Sequence, residues 1–115
     1  MALRIEFSAW AERDFDLILT HLFDSYRSLG ETAASALDHA GARTTEIRAA
    51  AERILAAPHR GTMHDDILPG LRHLTIERAI YWFRIDEPRQ IVQVIGVFFG
   101  GQDHVRRMYA RLLEG

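Results

Sequence analysis

The sequence predicts an α+β fold: an antiparallel β-sheet carrying a packed α-helical hairpin and a short C-terminal helix, in the order β-α-α-β-β-β-α. Three observations predict it. Gly70 to Asp103 holds three runs rich in β-branched and aromatic residues, Leu71–Ile76, Ala79–Ile85 and Ile91–Phe99. They are joined by the short connectors Glu77-Arg78 and Asp86-Glu87-Pro88-Arg89, as a strand meander requires. Ahead of the meander lie two long stretches with apolar residues at helical spacing, divided at Leu29-Gly30. Behind it, Gly100-Gly101 marks a turn before a last amphipathic stretch.

Each element has its own justification. Leu3, Ile5 and Phe7 alternate with Arg4, Glu6 and Ser8, the pattern of a short half-buried strand. Ser8 is a suitable N-cap for a helix from Ala9 to about Ser28, whose apolar positions are Ala11, Phe15, Ile18, Leu19, Leu22 and Tyr26. Gly30 suits the residue just past its end. A second helix is expected from Glu31 or Thr32 through Ala57, with Ala33, Leu37, Ala40, Ile47, Ala51 and Ile54 on one stripe and Pro58 as its stop. His59 to Pro69 reads as a polar connector. The last strand is apolar on both alternating sides: Ile91, Ile95, Val97 and Phe99 on one, Val92, Val94 and Phe98 on the other. A strand buried twice belongs inside a sheet or beneath other elements. The terminal helix is expected over Asp103 to Leu113, with Asp103 as N-cap and Val105, Met108 and Leu112 facing inward. All of residues 1–115 form one domain, with the helix pair on the sheet because the meander is the only surface able to bury it.

Composition narrows the function classes. At 115 residues, 48% apolar and 26% charged, the chain has the make-up of a folded globular domain. It has no cysteine, which excludes a disulfide scaffold, a thiolate metal site and a cysteine nucleophile. No run reaches the length of a membrane-spanning helix, and Met1–Trp10 lacks the apolar core of a signal peptide, so no membrane and a cytoplasmic location are expected. All fourteen basic residues are Arg, yet the net charge is −2. That balance argues against nucleic-acid binding through a broad positive surface and leaves a local basic cleft open. No nucleotide, phosphate or serine-hydrolase fingerprint is present, and no cofactor is implied. His59, His64, Asp65 and Asp66 invite a metal reading, but their spacing matches no ligand pair on a helix, and no metal is expected.

Several stretches together resemble the bacterial RelE/ParE toxin superfamily: IEFS before an Ala-rich acidic helix, AAPHRGT after the second helix, GLR leading into the meander, YWFRID, and IVQVIGVFFGGQD at its end. The resemblance spans nearly the whole chain. It implies the toxin of a type II toxin–antitoxin pair, held inactive in a hetero-oligomer by a cognate antitoxin that wraps its surface. The RelE-like branch cuts mRNA on the ribosome; characterised members of the ParE-like branch poison DNA gyrase. Transesterification through a ribose 2′-OH needs a base, an acid and cations around the charged transition state. Arg72 sits where the meander's first cation would be, but the last strand ends in Phe99-Gly100-Gly101-Gln102, and Ala49-Ala50-Ala51-Glu52 of the second helix is not basic. Losing one such donor commonly costs about 10²–10³ in rate. The ParE-like branch is therefore expected, with no catalytic residues.

If the chain were a nuclease, Arg72, Arg84, His104 and Tyr109 would carry the chemistry. For the binding reading, Gln102, Arg106 and Arg107 are the candidates for touching the target. Trp10 and Leu17, seven positions apart on the first helix and off its apolar stripe, are the candidates for touching the antitoxin. Against these stand plainer roles: Arg84 paired with an acid across the sheet, Arg106 and Arg107 on a solvated helix face, His104 as a surface side chain, and the Trp10–Leu17 side packed against the terminal helix or a loop.

Overall fold

The structure, a computed structural model, describes residues 2–100 and 103–114. Strand β1 (Arg4–Phe7) leads into helices α1 (Ala9–Ser28) and α2 (Ala33–Ala50), then strands β2 (Thr62–Met63), β3 (Arg72–Ile76), β4 (Ala79–Asp86) and β5 (Ile91–Phe99), and finally helix α3 (His104–Glu114). The Ser8 hydroxyl accepts from the Ala11 amide at 3.1 Å and the Thr32 hydroxyl from the Ser35 amide at 3.1 Å, so both hairpin helices carry side-chain N-caps. Gly30, at φ 97°, ends α1 with paired reverse bonds, Gly30 N–H to Arg27 and Glu31 N–H to Tyr26. A left-handed residue is needed there, which glycine supplies without strain.

The second helix departs from the expected single span to Ala57. The α-helix stops at Ala50 and tightens into a 3-10 segment, Ala51–Ala56. With an i, i+3 repeat, Ala51 and Ile54 stay on one line, and both are fully buried. The start of its stripe also differs: Leu37 is 54% exposed and Ala33 is exposed, while Ala36 takes the buried place ahead of Ala40 and Ile47.

The sheet has the order β1-β5-β4-β3-β2. The meander β3-β4-β5 is antiparallel, as expected, and β2 adds a two-residue strand within the connector. The sheet is mixed rather than antiparallel throughout, because β1 runs parallel to β5, with Arg4 opposite Ile91 and Phe7 opposite Val94. Nearly the whole chain separates these two strands, so no tight turn dictates their relative direction. The parallel course delivers Ser8, bonded through its amide to the Val94 carbonyl at 2.9 Å, straight into α1.

A β-bulge changes which side chains share a face. Trp82 pairs with Gly96 but Phe83 pairs with Val94, leaving Ile95 extra. The expected grouping of Ile91 and Ile95 with Val97 and Phe99 is therefore broken at this point. Val92, Val94 and Val97 join Tyr81, Phe83 and the hairpin residues Phe15, Ile18, Ile47 and Ile54 in one core, with Phe99 packed against it. Ile95 and Phe98 join Ile80, Trp82, Leu71 and Met108 in a second core on the opposite face. There α3 contributes Val105, Met108 and Leu112, the three residues expected to face inward, and the connector contributes Ile67 and Leu68.

Candidate functional site

The site begins at an unpaired sheet edge. Among the described residues strand β1 pairs with Ile91–Val94 alone, and past the bulge β5 has no strand beside it on that edge. Bare edge amides and carbonyls need partners when buried. Asp14 of α1, 2% exposed, accepts the Val97 amide at 2.9 Å. Arg111 of α3 clamps the same carboxylate with two bonds, at 2.8 and 2.9 Å, and donates to the Ile95 carbonyl at 3.2 Å. This buried pair ties α1, the bulge and α3 together. The fit is tight: a Cβ added at Gly96 would lie 2.5 Å from the Met108 methyl and 3.0 Å from Arg111 Nη1.

On the outer side of that pair, α1 and α3 form the walls of a groove. Its floor is Val97, Phe98 and Phe99, and its walls carry Leu17, Ile18, His21 and Arg107. It continues past Arg111 as a shallower trough lined by Trp10, Arg13, Ala110 and Glu114. Trp10, Asp14 and Leu17 follow i, i+4, i+7 spacing, so the two candidate docking residues flank the buried carboxylate on one helix face. Leu17 is 59% exposed. Trp10 is half-buried beneath the Arg111 guanidinium, 5.6 Å from its ring centroid, so its contact with the terminal helix and its place on the groove wall coexist.

The target candidates divide. Gln102 lies outside the described residues. Arg106 is largely exposed and sits 3.8 Å from Asp103. Arg107 lines the groove with Leu17, its guanidinium 4.7 Å from the Phe98 ring centroid.

The nuclease candidates are not gathered on one surface. Arg72 lies opposite Phe83 on the hairpin side and donates to the His59 carbonyl at 2.7 Å. Arg84, one position beyond Phe83, falls on the other side and donates to the Pro69 carbonyl at 3.1 Å, not to an acid across the sheet. His104 and Tyr109 share that second side, Tyr109 donating to Asp66 at 2.8 Å. That bond raises the Tyr109 pKa.

Beneath α3 three imidazoles meet around the fully buried Trp82. His104 Nδ1 accepts from the Trp82 indole N–H at 3.2 Å, and His64 Nε2 and His73 Nδ1 are 2.7 Å apart. Burial, then the neighbouring His104 and His64, pushes His73 down to about 4. Burial likewise lowers His104. His104 is thus a half-buried member of a cluster and not a surface side chain. Of the metal candidates, Asp65 accepts the Gly70 amide and Asp66 holds Tyr109. Among the described residues no three His, Asp or Glu side chains converge on a metal.

Sequence reasoning missed Asp14 and His73. An acid at the buried spacing of Ala11, Phe15 and Ile18 was the available signal for the first. The second shows only once the register sets His73 opposite Trp82.

Neither a protein-family model nor a curated protein matches this sequence. Among solved structures, the chain is similar to one described as the chromosomal ParDE TA (toxin–antitoxin) system from P. aeruginosa, at 21% identity and TM-score 0.59, over 86% of this chain and 96% of that one. In fold, therefore, the RelE/ParE resemblance holds: this chain has the α+β architecture of a chain from a ParDE toxin–antitoxin system.

Proposed function

We propose that the chain is the ParE-like toxin of a type II toxin–antitoxin pair, that it acts by binding a protein target, and that DNA gyrase is that target. The observation that carries the class is the fold shared with a chain of a ParDE system over 86% of the sequence. The separation of the two candidate nuclease cations supports binding over cutting. Arg72 and Arg84 are on opposite sides of the sheet and each is spent on a backbone carbonyl.

In this reading the antitoxin seats in the groove between α1 and α3. Its apolar side chains cover Leu17 and Trp10 over the Phe98–Phe99 floor, and its acids face Arg13 and Arg107. Arg106 contacts the target from the outer side of α3, and Gln102, just ahead of that helix in the sequence, joins it. Arg107 serves both surfaces, so an antitoxin in the groove hides part of the target surface; that overlap is the proposed basis of neutralisation.

The reading is tested by inducing the chain in a bacterium without its antitoxin and assaying the purified protein on gyrase. Growth arrest with inhibition of supercoiling at micromolar protein is expected. Growth arrest with codon-phased mRNA cuts by primer extension would instead assign the RelE-like activity. Unaffected growth would remove the toxin reading altogether.

A further inference from the structure

We propose that the imidazole cluster of His64, His73 and His104 around Trp82 is a proton-operated latch: neutral, it seats α3 and the connector on the sheet, and a second proton releases them. The hydrogen-bond chemistry sets this limit. An indole N–H can only donate, so His104 Nδ1, which accepts it at 3.2 Å, carries no proton and the ring keeps its hydrogen on Nε2. Protonating His104 would set two N–H groups against each other above a fully buried indole. The His64–His73 contact at 2.7 Å holds one proton between two nitrogens. It survives in a neutral or singly protonated pair and fails when both rings are charged. One proton fits the cluster; two do not.

The surroundings offer little compensation. The ring centroids lie 4.5 to 4.9 Å apart for His64–Trp82, His73–Trp82, His64–His73 and His73–His104, so charges on two rings would be close. From the connector, Asp65 is engaged by the Gly70 amide and Asp66 by Tyr109. From the strands, Arg72 turns to the other face and Arg84 to the Pro69 carbonyl. Glu77 and Arg78 of the β3–β4 turn line a shallow depression with His104. From α3, Arg107 lies over Phe98, and exposed Asp103, shared with Arg106, favours charged His104. Its pull is weaker than burial, which favours the neutral ring. Burial also holds His73 neutral down to about 4.

The sign follows. A released imidazole takes its proton near pH 6.5, whereas the seated one refuses it. As pH falls from 6.5 toward 4, release is therefore favoured by up to about tenfold per pH unit for each proton excluded. Because α3 is one wall of the groove, release would dismantle the antitoxin seat. That consequence rests on the function proposed above, but the latch does not, and the test uses the chain alone, so failure of one leaves the other standing.

Hydrogen exchange of the full chain, normalised to intrinsic rates, is compared at pH 7.5, 6.5 and 5.5. Exchange across 104–114 and 59–69 is expected to rise about tenfold between pH 6.5 and 5.5, with helices α1 and α2 unchanged. In the double variant His73→Asn, His104→Asn, whose amides replace the Nδ1 positions without titrating, the rise should vanish. Equal protection of α3 at all three pH values, or a rise that persists in the double variant, would overturn the proposal. Imidazole NMR of the unaltered chain gives a check that does not depend on the variant folding. His104 should show the Nε2–H tautomer and stay neutral below pH 6.5 until α3 exchanges; ordinary titration near 6.5 with α3 still seated would overturn it.

Discussion

The two faces of the sheet are covered by different chemistry. On the hairpin face, Phe15, Ile18, Leu22, Ile47 and Ile54 lock onto Tyr81, Phe83, Val92, Val94 and Val97. Its buried polar anchor, Tyr81, donates to the Ile47 carbonyl at 2.6 Å, and burial pushes its hydroxyl up to about 12. On the α3 face a smaller apolar cluster is framed by polar ties: Asp14–Arg111 at one side, Trp82 and the histidines at another, Tyr109–Asp66 at the rim. Apolar contact is indifferent to pH, while buried charges and neutral imidazoles are not. One side therefore adds stability that does not change with pH. The other sets how α3 sits, and with it the shape of the groove.

The largest break in this comparison should come from Asp14→Ala. It leaves Arg111 without its counter-charge and the Val97 amide bare, and removal of one member of a buried pair costs about 3–5 kcal/mol. Urea unfolding measures it; a loss below about 1 kcal/mol would mean the pair adds no more than a surface contact. Ile54→Ala on the other face should cost about 2–5 kcal/mol by cavity formation, and by the same amount at pH 7.5 and 5.5. A strongly pH-dependent cost there would erase the contrast between the faces. Gly96→Val should lose about 1–3 kcal/mol by driving a side chain into Met108, and Met108→Ala in the same chain should return part of it. Tyr109→Phe is the smallest: the ring is 37% exposed, and the unfolding midpoint should not move.

Elements with a clean apolar period were legible from sequence: both hairpin helices, the meander and the inward face of α3. What was not legible depended on pairing. Nothing in the string Val92-Gln93-Val94-Ile95-Gly96-Val97 marks a bulge except Gly96, so strict alternation put Ile95 with Val97 when it belongs with Phe98. The parallel course of β1 is likewise invisible, since no turn joins it to β5. Helical spacing places Leu37 inward, while the chain seats the smaller Ala36 there. Of the candidate site, Trp10 and Leu17 were readable because they break the helix's own pattern. Arg111 and His73 were not, because their partners lie on other elements and meet only after the sheet forms; Asp14 shows only as an acid at buried helical spacing.

On the proposed function, the groove between α1 and α3 is where a neutralising partner docks. The most direct test is Leu17→Arg in a cell that produces both the chain and the antitoxin proposed for it. Leu17 is 59% exposed, so the change should leave folding intact while placing a charge and a bulky side chain against the seated partner. Loss of protection by the antitoxin, with toxicity and unfolding midpoint unchanged, is the predicted result. Full protection by an antitoxin that still binds the variant with unaltered affinity would contradict it.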